Sequence, residues 1–451
     1  MMGEHRLGGQ CDRREFLRSA AGAGAALTLA PAVFSSLHAA EGGGDVNVAL
    51  IGAGEQGKTL MEAARQIPGL RFRAVCDIWP YNRQWLVGRL RAYGQRANAY
   101  EDYREVLDKE KDLDAVLIAT PDCWHAEHTI ACLDAGLHVY CEKEMSNVLE
   151  GARKMVEAAR RTGNLLQIGH QRRSNPNYIF CYDKLLTEAK LLGRITAVNG
   201  QWNRSVQEPF GCPKGTEQDA ATLQKYGYES MQQLRNWRWY KHLGGGPIVD
   251  LGSHQIDIYN WFLGARPRSV LASGRTNYYD KATHEWYDTV MAIYEYDTPQ
   301  GPVSAFYQTI TTNSGQGYFE TFMGHEGTLL LSERASRCRV YRETWVDERK
   351  WEPWARKGYL GEPAQSEPKP APSAALDSRD SVPPPTYQLP VQSDKLIHQP
   401  HLENFVDAIR GKAKLNCPPE VGYETAVTVL KVNEAAEAGR RLEFKPEDFT
   451  V

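Results

Sequence analysis

The stretch 46–57, VNVALIGAGEQG, constrains this chain more than any other, together with the helical pattern KTLMEAARQI behind it. An apolar run without a polar face describes a strand buried on both sides. It must stop where the glycines begin. Gly52 permits a tight turn, Gly54 lets backbone approach a ligand closely, and Gly57 lets the following helix pack near the strand. Free N–H groups at the start of that helix, around Glu55, Gln56 and Gly57, join the positive end of its dipole to make a phosphate site. The spacing Gly-x-Gly-x-x-Gly therefore points to a dinucleotide.

Strand and helix patterns then alternate. Strands are expected at 46–51, 72–76, 115–119, 138–141 and 165–168, and helices at 57–67, 80–94, 101–109, 125–135 and 148–162. This alternation predicts a doubly wound parallel sheet, a Rossmann domain over 45–172. From residue 178 the texture changes to a helix over 178–189 and alternating, aromatic-rich strands at 195–202, 269–278, 289–296, 303–311, 318–323 and 328–331. A helix near 252–263 interrupts them. Short turns between successive strands predict an α+β domain over 173–360 with a large, open, mostly antiparallel sheet. The Pro-, Ser- and Ala-rich stretch 361–396 reads as a surface excursion, and helical patterns return at 401–410 and 424–439, within a C-terminal segment 397–451.

A chain of 451 residues exceeds one ordinary core, in line with two domains. A net charge of −3 leaves no broad basic face for nucleic acid or an anionic membrane. The nine cysteines lack any C-x-x-C pair or zinc-ligand spacing, so we read most as free, buried thiols and expect no metal site.

Several candidate residues fall at expected carboxyl ends of parallel strands, where ligands of such sheets gather. Asp77 ends the second strand, placed to accept adenosine ribose hydroxyls and to repel a 2′-phosphate, which favours NAD over NADP. Thr120-Pro121 ends the third long strand and His125 opens the next helix. Glu142 and Lys143 follow the fourth, with the ammonium expected to point into the crevice, where it could orient a substrate hydroxyl. Gln171 and Arg172 follow the fifth, where Gln171 is expected to meet the cofactor and Arg172 the substrate. In Gly244-Gly245-Gly246-Pro247-Ile248-Val249-Asp250-Leu251-Gly252-Ser253-His254, Asp250 and His254 lie one helical turn apart. Asp250 could hold the imidazole in one tautomer, leaving the other nitrogen as a base, or the pair could be a cap and a packed histidine. Trp202, Asn203, Trp237 and Arg238 supply aromatic faces and donors suited to sugars, or else sheet core and oligomer interface.

The order GAGEQG, Asp77, ATP, His125, AGLHVYCEK, GGGPIVDLGSH and MGHEGTL resembles the Gfo/Idh/MocA oxidoreductases over about 46–335. The resemblance implies a Rossmann domain and an open-sheet domain that often builds the oligomer. It implies NAD and a catalytic set of Lys143, Asp250 and His254 beside the nicotinamide, acting on a sugar or polyol carbinol, with His254 as base and Lys143 as hydroxyl partner. Glutamate at 144 replaces the family's proline after that lysine. It adds an N–H and a carboxylate at this turn and could keep Lys143 more firmly protonated.

The N-terminus, Asp12-Arg13-Arg14-Glu15-Phe16-Leu17-Arg18 and the Ala/Gly-rich run behind it, resembles a twin-arginine export signal over 1–40. A membrane-anchoring N-terminus is the alternative. Export would engage the twin-arginine machinery and place the protein in the periplasm. It would also require NAD to be bound beforehand and regenerated in place. A second substrate could do that, or hydride could be returned within one cycle, giving net glycoside hydrolysis or elimination through a transient 3-keto sugar. A noncatalytic sugar-binding protein on the same fold is the remaining alternative.

Overall fold

The computed structural model describes residues 44–363 and 384–451. The twin-arginine stretch 1–40 and residues 364–383 of the excursion lie outside them.

The first sheet has six strands: β1 Val46–Ile51, β2 Leu70–Cys76, β3 Asn98–Tyr100, β4 Ala115–Ile118, β5 His138–Cys141 and β6 Leu166–Ile168. Their spatial order is β3-β2-β1-β4-β5-β6, and every pairing is parallel. All four residues of β4 are buried, as a central strand covered by helices on both faces requires. The order reverses between β1 and β4, which opens a crevice at their carboxyl ends. The short edge strand β3 was not expected from the sequence: its three residues are largely exposed and carry no apolar run.

The helix after β1 starts at Glu55, not 57, and runs to Ala64. Gly54 caps it, so Gly57 already lies in its first turn. A Cβ on Gly57 would come within 2.0 Å of the Gly52 carbonyl oxygen, a distance only glycine permits. Gly52 takes φ +95°, and a Cβ there would meet the Ala119 carbonyl oxygen at 2.5 Å. The helix expected at 125–135 starts earlier, at Asp122, because Pro121 ends the β4 turn and seats the helix directly behind it. The helix expected at 178–189 is Pro176–Phe180 running on into a π-helical turn, Cys181–Glu188.

The second sheet contains β7 Ile195–Asn203, β8 Pro267–Arg275, β9 Thr289–Thr298, β10 Gly301–Ile310, β11 Tyr318–Gly324, β12 Gly327–Leu331, β13 Arg339–Arg342, β14 Thr386–Gln388 and β15 Leu442–Glu443. Its order is β14-β13-β12-β11-β7-β10-β9-β8-β15. Only β7 and β10 run parallel. One face packs on the helices Gly252–Leu263 and Pro419–Ala438. Val198, Val270, Tyr294 and Val429 belong to the same apolar core as Ile51 and Ile168 of the first sheet. The other face leaves Leu271, Met291 and Ile293 about two-fifths exposed (39%, 42% and 44%).

Residues 204–243 leave the sheet after β7 and form a small layer of their own, with helices Ala220–Lys225 and Met231–Arg235. Leu223, Tyr226, Tyr228 and Leu243 make a separate apolar cluster, packed against Ile78 and Trp124 of the first domain. This layer had no counterpart in the periodicity, because its helices are too short to show a stripe.

Candidate active site

A cleft of about 580 Å³ runs along the carboxyl ends of the parallel strands and under residues 204–243. Glycines 52 and 54, Glu55, Gln56, Asp77, Thr120, Pro121, His125, Glu142, Lys143, Gln171, Trp202, Trp237, Arg238, Asp250 and His254 all line it. Residues far apart in sequence thus share one space.

At one end the groups match a dinucleotide. The first backbone bond of the helix at Glu55 runs from the Lys58 N–H to the Gly54 carbonyl, so the N–H groups ahead of Lys58 are free for phosphate. A Cβ on Gly54 would meet nothing within 4 Å, so the loop is open on its ligand side. The Asp77 carboxylate accepts from the backbone N–H groups of Ala53 and Trp79, both at 2.8 Å. These two bonds fix its plane and leave further lone pairs for ribose hydroxyls. Glu142 accepts from the Gln56 amide at 3.0 Å, which joins the glycine loop to the end of β5. The same amide lies 3.0 Å from His398 Nε2.

His125 is fully buried, with Nδ1 2.6 Å from the Glu144 carbonyl oxygen and Nε2 2.8 Å from the Thr120 carbonyl oxygen. A carbonyl only accepts, so both ring nitrogens must donate and the ring is an imidazolium. Burial opposes that charge, but the Cys141 thiol, the Asp122 carboxylate and the Glu144 carbonyl outweigh it and raise the ring's pKa to about 10. His125 therefore clamps the Thr120 and Lys143 turns together from beneath.

The other end carries the acid–base groups. Lys143 Nζ donates to the Asp250 carbonyl oxygen and lies 3.2 Å from Asp250 Oδ1. Arg238 Nε reaches the same carboxylate oxygen at 3.2 Å. Burial alone would favour the neutral acid, but Arg238, Lys143 and Arg204 together hold the Asp250 carboxyl well below the usual carboxylate range. The expected Asp250–His254 bond does not form. The carboxylate turns to the two cations instead, since a full charge pair is stronger than a bond to a neutral ring. His254 lies 5.4 Å from the Trp202 ring, and its Nδ1 is enclosed without a partner among the described residues. Burial, with Lys143 and Arg172 nearby, holds its pKa well below the ordinary histidine value, so the ring is neutral.

Glu144 is fully buried beside Lys143. Its Oε1 accepts from the Met145 N–H at 2.8 Å and its Oε2 has no partner among the described residues. Burial pushes its pKa up to about 8, against the pull of that N–H and of Lys143. A carboxyl held neutral adds little charge beside the lysine, so the expected charge reinforcement of Lys143 is weaker than the sequence suggests.

Two expected substrate residues do not reach the cleft. Arg172 is buried behind it, bonded to Glu320 and Glu333 at 3.1 Å each. Two buried carboxylates are a stronger attraction than an open cleft, and they turn the guanidinium inward. Asn203 points to the Gly315 carbonyl at 2.9 Å, on the rim of the sheet. Gly57 does not line the cleft itself and packs against the Gly52 carbonyl. In their place the cleft is lined by Glu333, Arg204, Tyr318, Tyr226, Tyr228 and His398. None of these carries a local motif. Glu333 is presented by Gln171 at 3.3 Å and by Arg172, a pairing across the domain boundary that no spacing could reveal.

Fold and site together define a nicotinamide-dependent dehydrogenase. Residues 46–170 match "Oxidoreductase family, NAD-binding Rossmann fold" and residues 184–330 match "GFO/IDH/MocA C-terminal domain". The chain belongs to the Gfo/Idh/MocA family, and it is an NAD-dependent oxidoreductase. It is 28% identical to 1,5-anhydro-D-fructose reductase of Ensifer adhaerens over 55% of this chain and 72% of the relative. It is 28% identical to levoglucosan dehydrogenase of Pseudarthrobacter phenanthrenivorans over 49% of this chain and 52% of that one. The matched span is thus about half of the levoglucosan enzyme's length. Among solved structures, an oxidoreductase domain protein from Kribbella flavida superimposes with a TM-score of 0.67 at 17% identity, covering 89% of this chain and 100% of its own. A levoglucosan dehydrogenase complex with NADH and levoglucosan gives 0.64 at 19%, covering 89% and 99%. At such identity these two speak for the fold alone.

Proposed function

We propose that this protein oxidises or reduces a carbinol of a sugar or polyol, using NAD held as a near-permanent group. One observation carries the reading: Lys143, clamped by Asp250, and the neutral His254 share a single cleft with the glycine loop. Trp202 and Trp237 give that end apolar faces suited to sugar C–H surfaces. The chain's similarity to levoglucosan dehydrogenase and inositol 2-dehydrogenase supports the substrate class.

NAD, when bound, supplies the acceptor for hydride. The residues do the rest. The Lys143 ammonium donates to the substrate hydroxyl oxygen and steadies the negative charge that develops there. His254 takes the hydroxyl proton, a role open only to a neutral ring. Asp250 keeps the ammonium aimed and charged. In the reductive direction the same proton returns from His254.

Retention of the cofactor draws support from residues 204–243. Trp79 Nε1 donates to the Thr216 carbonyl, the Cys123 N–H to the Leu243 carbonyl at 3.1 Å, and Tyr226 OH lies 3.4 Å from Glu101. These contacts roof the adenosine side of the cleft, and His398 covers the glycine loop. Export through the twin-arginine route, to the periplasm, fits a cofactor that does not exchange, and we include it in the proposal. Assembly into a homo-oligomer through the exposed face at Leu271, Met291 and Ile293 is part of it too.

The test is mass spectrometry of purified protein incubated with a panel of sugars and glycosides. Co-purified NAD and a keto sugar or its reduced counterpart is the expected outcome. Release of aglycone without net NADH would replace it with the redox-neutral glycosidase or lyase scheme. Binding without any turnover would leave a noncatalytic sugar-binding protein.

A further inference from the structure

Two arginines at the substrate end of the cleft have donors that the protein does not use. Arg204 follows β7 directly, its guanidinium 5.2 Å from the Trp202 ring centre. It lines the cleft and is exposed there. Among the described residues it forms no ion pair, and its only hydrogen bond is from its backbone N–H to the Ile310 carbonyl. Arg238 lies 4.2 Å over the Trp237 ring and spends only Nε, on Asp250. Its terminal nitrogens bond to nothing among the described residues. Stacking on an indole fixes the plane of a guanidinium and leaves its edge N–H groups facing outward.

The local charge balance bears on what these donors could receive. Lys143, Arg204 and Arg238 all act on the Asp250 carboxylate, and Asp122 and Glu142 act on Arg238 from farther off. Most other cleft carboxylates have partners of their own: Glu55 pairs with Lys58 and Glu101 with Lys225. Glu333 is tied to Arg172 and Gln171, Glu142 to Gln56, and Asp77 to two backbone N–H groups. Asp122 lies 3.4 Å from the Gly245 N–H. None lies within ion-pair distance of Arg204. A neutral hydroxyl needs only an amide or hydroxyl donor, whereas two planar forks beside a third cation match a carboxylate. The cofactor's diphosphate is accounted for by the helix start at Glu55, at the other end of the cleft.

We propose that the substrate is a sugar acid, its carboxylate received by Arg204 and Arg238 while Lys143 and His254 face the reacting carbinol. This rests on the sugar oxidoreductase reading and narrows it.

The experiment compares the methyl glycosides of D-glucuronate and D-glucose on NAD-loaded enzyme, with binding isotherms for D-glucuronate and D-glucose measured alongside. The expected kcat/KM ratio favours the glucuronide by about tenfold or more, most of it in KM. In Arg204→Gln that ratio should fall by about tenfold, while Arg204→Lys, which keeps the charge, should retain part of it. Bound NAD, read by mass spectrometry, should match the unmodified protein in both variants. A glucoside preferred over the glucuronide, a ratio unchanged in Arg204→Gln, or loss of NAD from that variant would each overturn the proposal, the last by assigning the guanidinium to the cofactor. The two readings fail separately. Saturable glucuronate binding, weakened in Arg204→Gln but without turnover of any sugar, leaves the carboxylate subsite standing and removes the oxidoreductase. Glucose oxidation with no glucuronate preference does the reverse.

Discussion

The two ends of the cleft are built on opposite principles. At the cofactor end the polar side chains already have protein partners, and the open groups are the backbone N–H groups of the glycine loop. Asp77 holds two backbone N–H groups, Glu142 holds Gln56, and His125 spends both nitrogens on two carbonyls. At the substrate end, donors and acceptors are left over: His254 Nδ1, Gln171 Oε1 and the outer nitrogens of Arg238. A site that keeps one ligand through many turnovers gains from rigid, pre-satisfied groups that need no reordering. A site that must grip and release a reacting molecule keeps its strongest interactions unspent until the transition state forms.

This contrast can be broken most forcefully at Lys143. Lys143→Ala should lower kcat by about a thousandfold while bound NAD stays near that of the unmodified protein, because the lysine belongs to the reacting end. Hydride transfer in single-turnover kinetics, read against NAD content by mass spectrometry, checks it; parallel loss of both would erase the distinction between the ends. His254→Asn should cost about a hundredfold in kcat by the same measurement, with its largest effect at the proton-transfer step.

The converse change lies at the roof. Tyr228→Ala removes a buried ring from the small cluster over the adenosine side. It should speed NAD exchange by about tenfold, followed with labelled NAD, and leave hydride transfer in the loaded enzyme within about threefold. An unchanged exchange rate would mean that residues 204–243 play no part in retention.

Glu144 sharpens the comparison at its midpoint. Unfolded, this carboxyl titrates near its ordinary value of 4.5, and folded near 8. Between those values the folded protein binds more protons than the unfolded chain, so this group's contribution to stability is full at low pH and declines as pH rises towards 8. The slope is on the order of 1 kcal/mol per pH unit. Glu144→Gln should flatten it, as urea titrations across that range would register. The smallest effect is expected from Asn203→Ala, which removes a bond on the sheet rim and should change kcat/KM by less than about twofold.

Much of the frame was legible because it depends on local rules. The buried runs at 46–51 and 138–141, the glycine spacing and the position of Asp77 each follow from a strand that must end in a turn. The arrangement of side chains was less accessible. Asp250 and His254 one turn apart suggested a bond to each other, yet the strong partners of Asp250 are Lys143 and Arg238, and they win on charge. Arg172 stands beside Gln171 in sequence, but one lines the cleft and the other is drawn inward by Glu320 and Glu333.

The sequence by itself determined the two-domain architecture, the dinucleotide loop, the likeness to the Gfo/Idh/MocA enzymes and the residue types available for acid–base work. Periodicity and turn chemistry act over a few residues, so they survive in one dimension. Only the tertiary structure decided that two cations hold Asp250, that Glu144 is a buried neutral acid, that residues 204–243 lie over the cleft and that two arginines there keep donors without partners among the described residues. Those outcomes depend on which charges burial brings within a few ångströms of one another, and distance across a fold is not written in spacing along a chain.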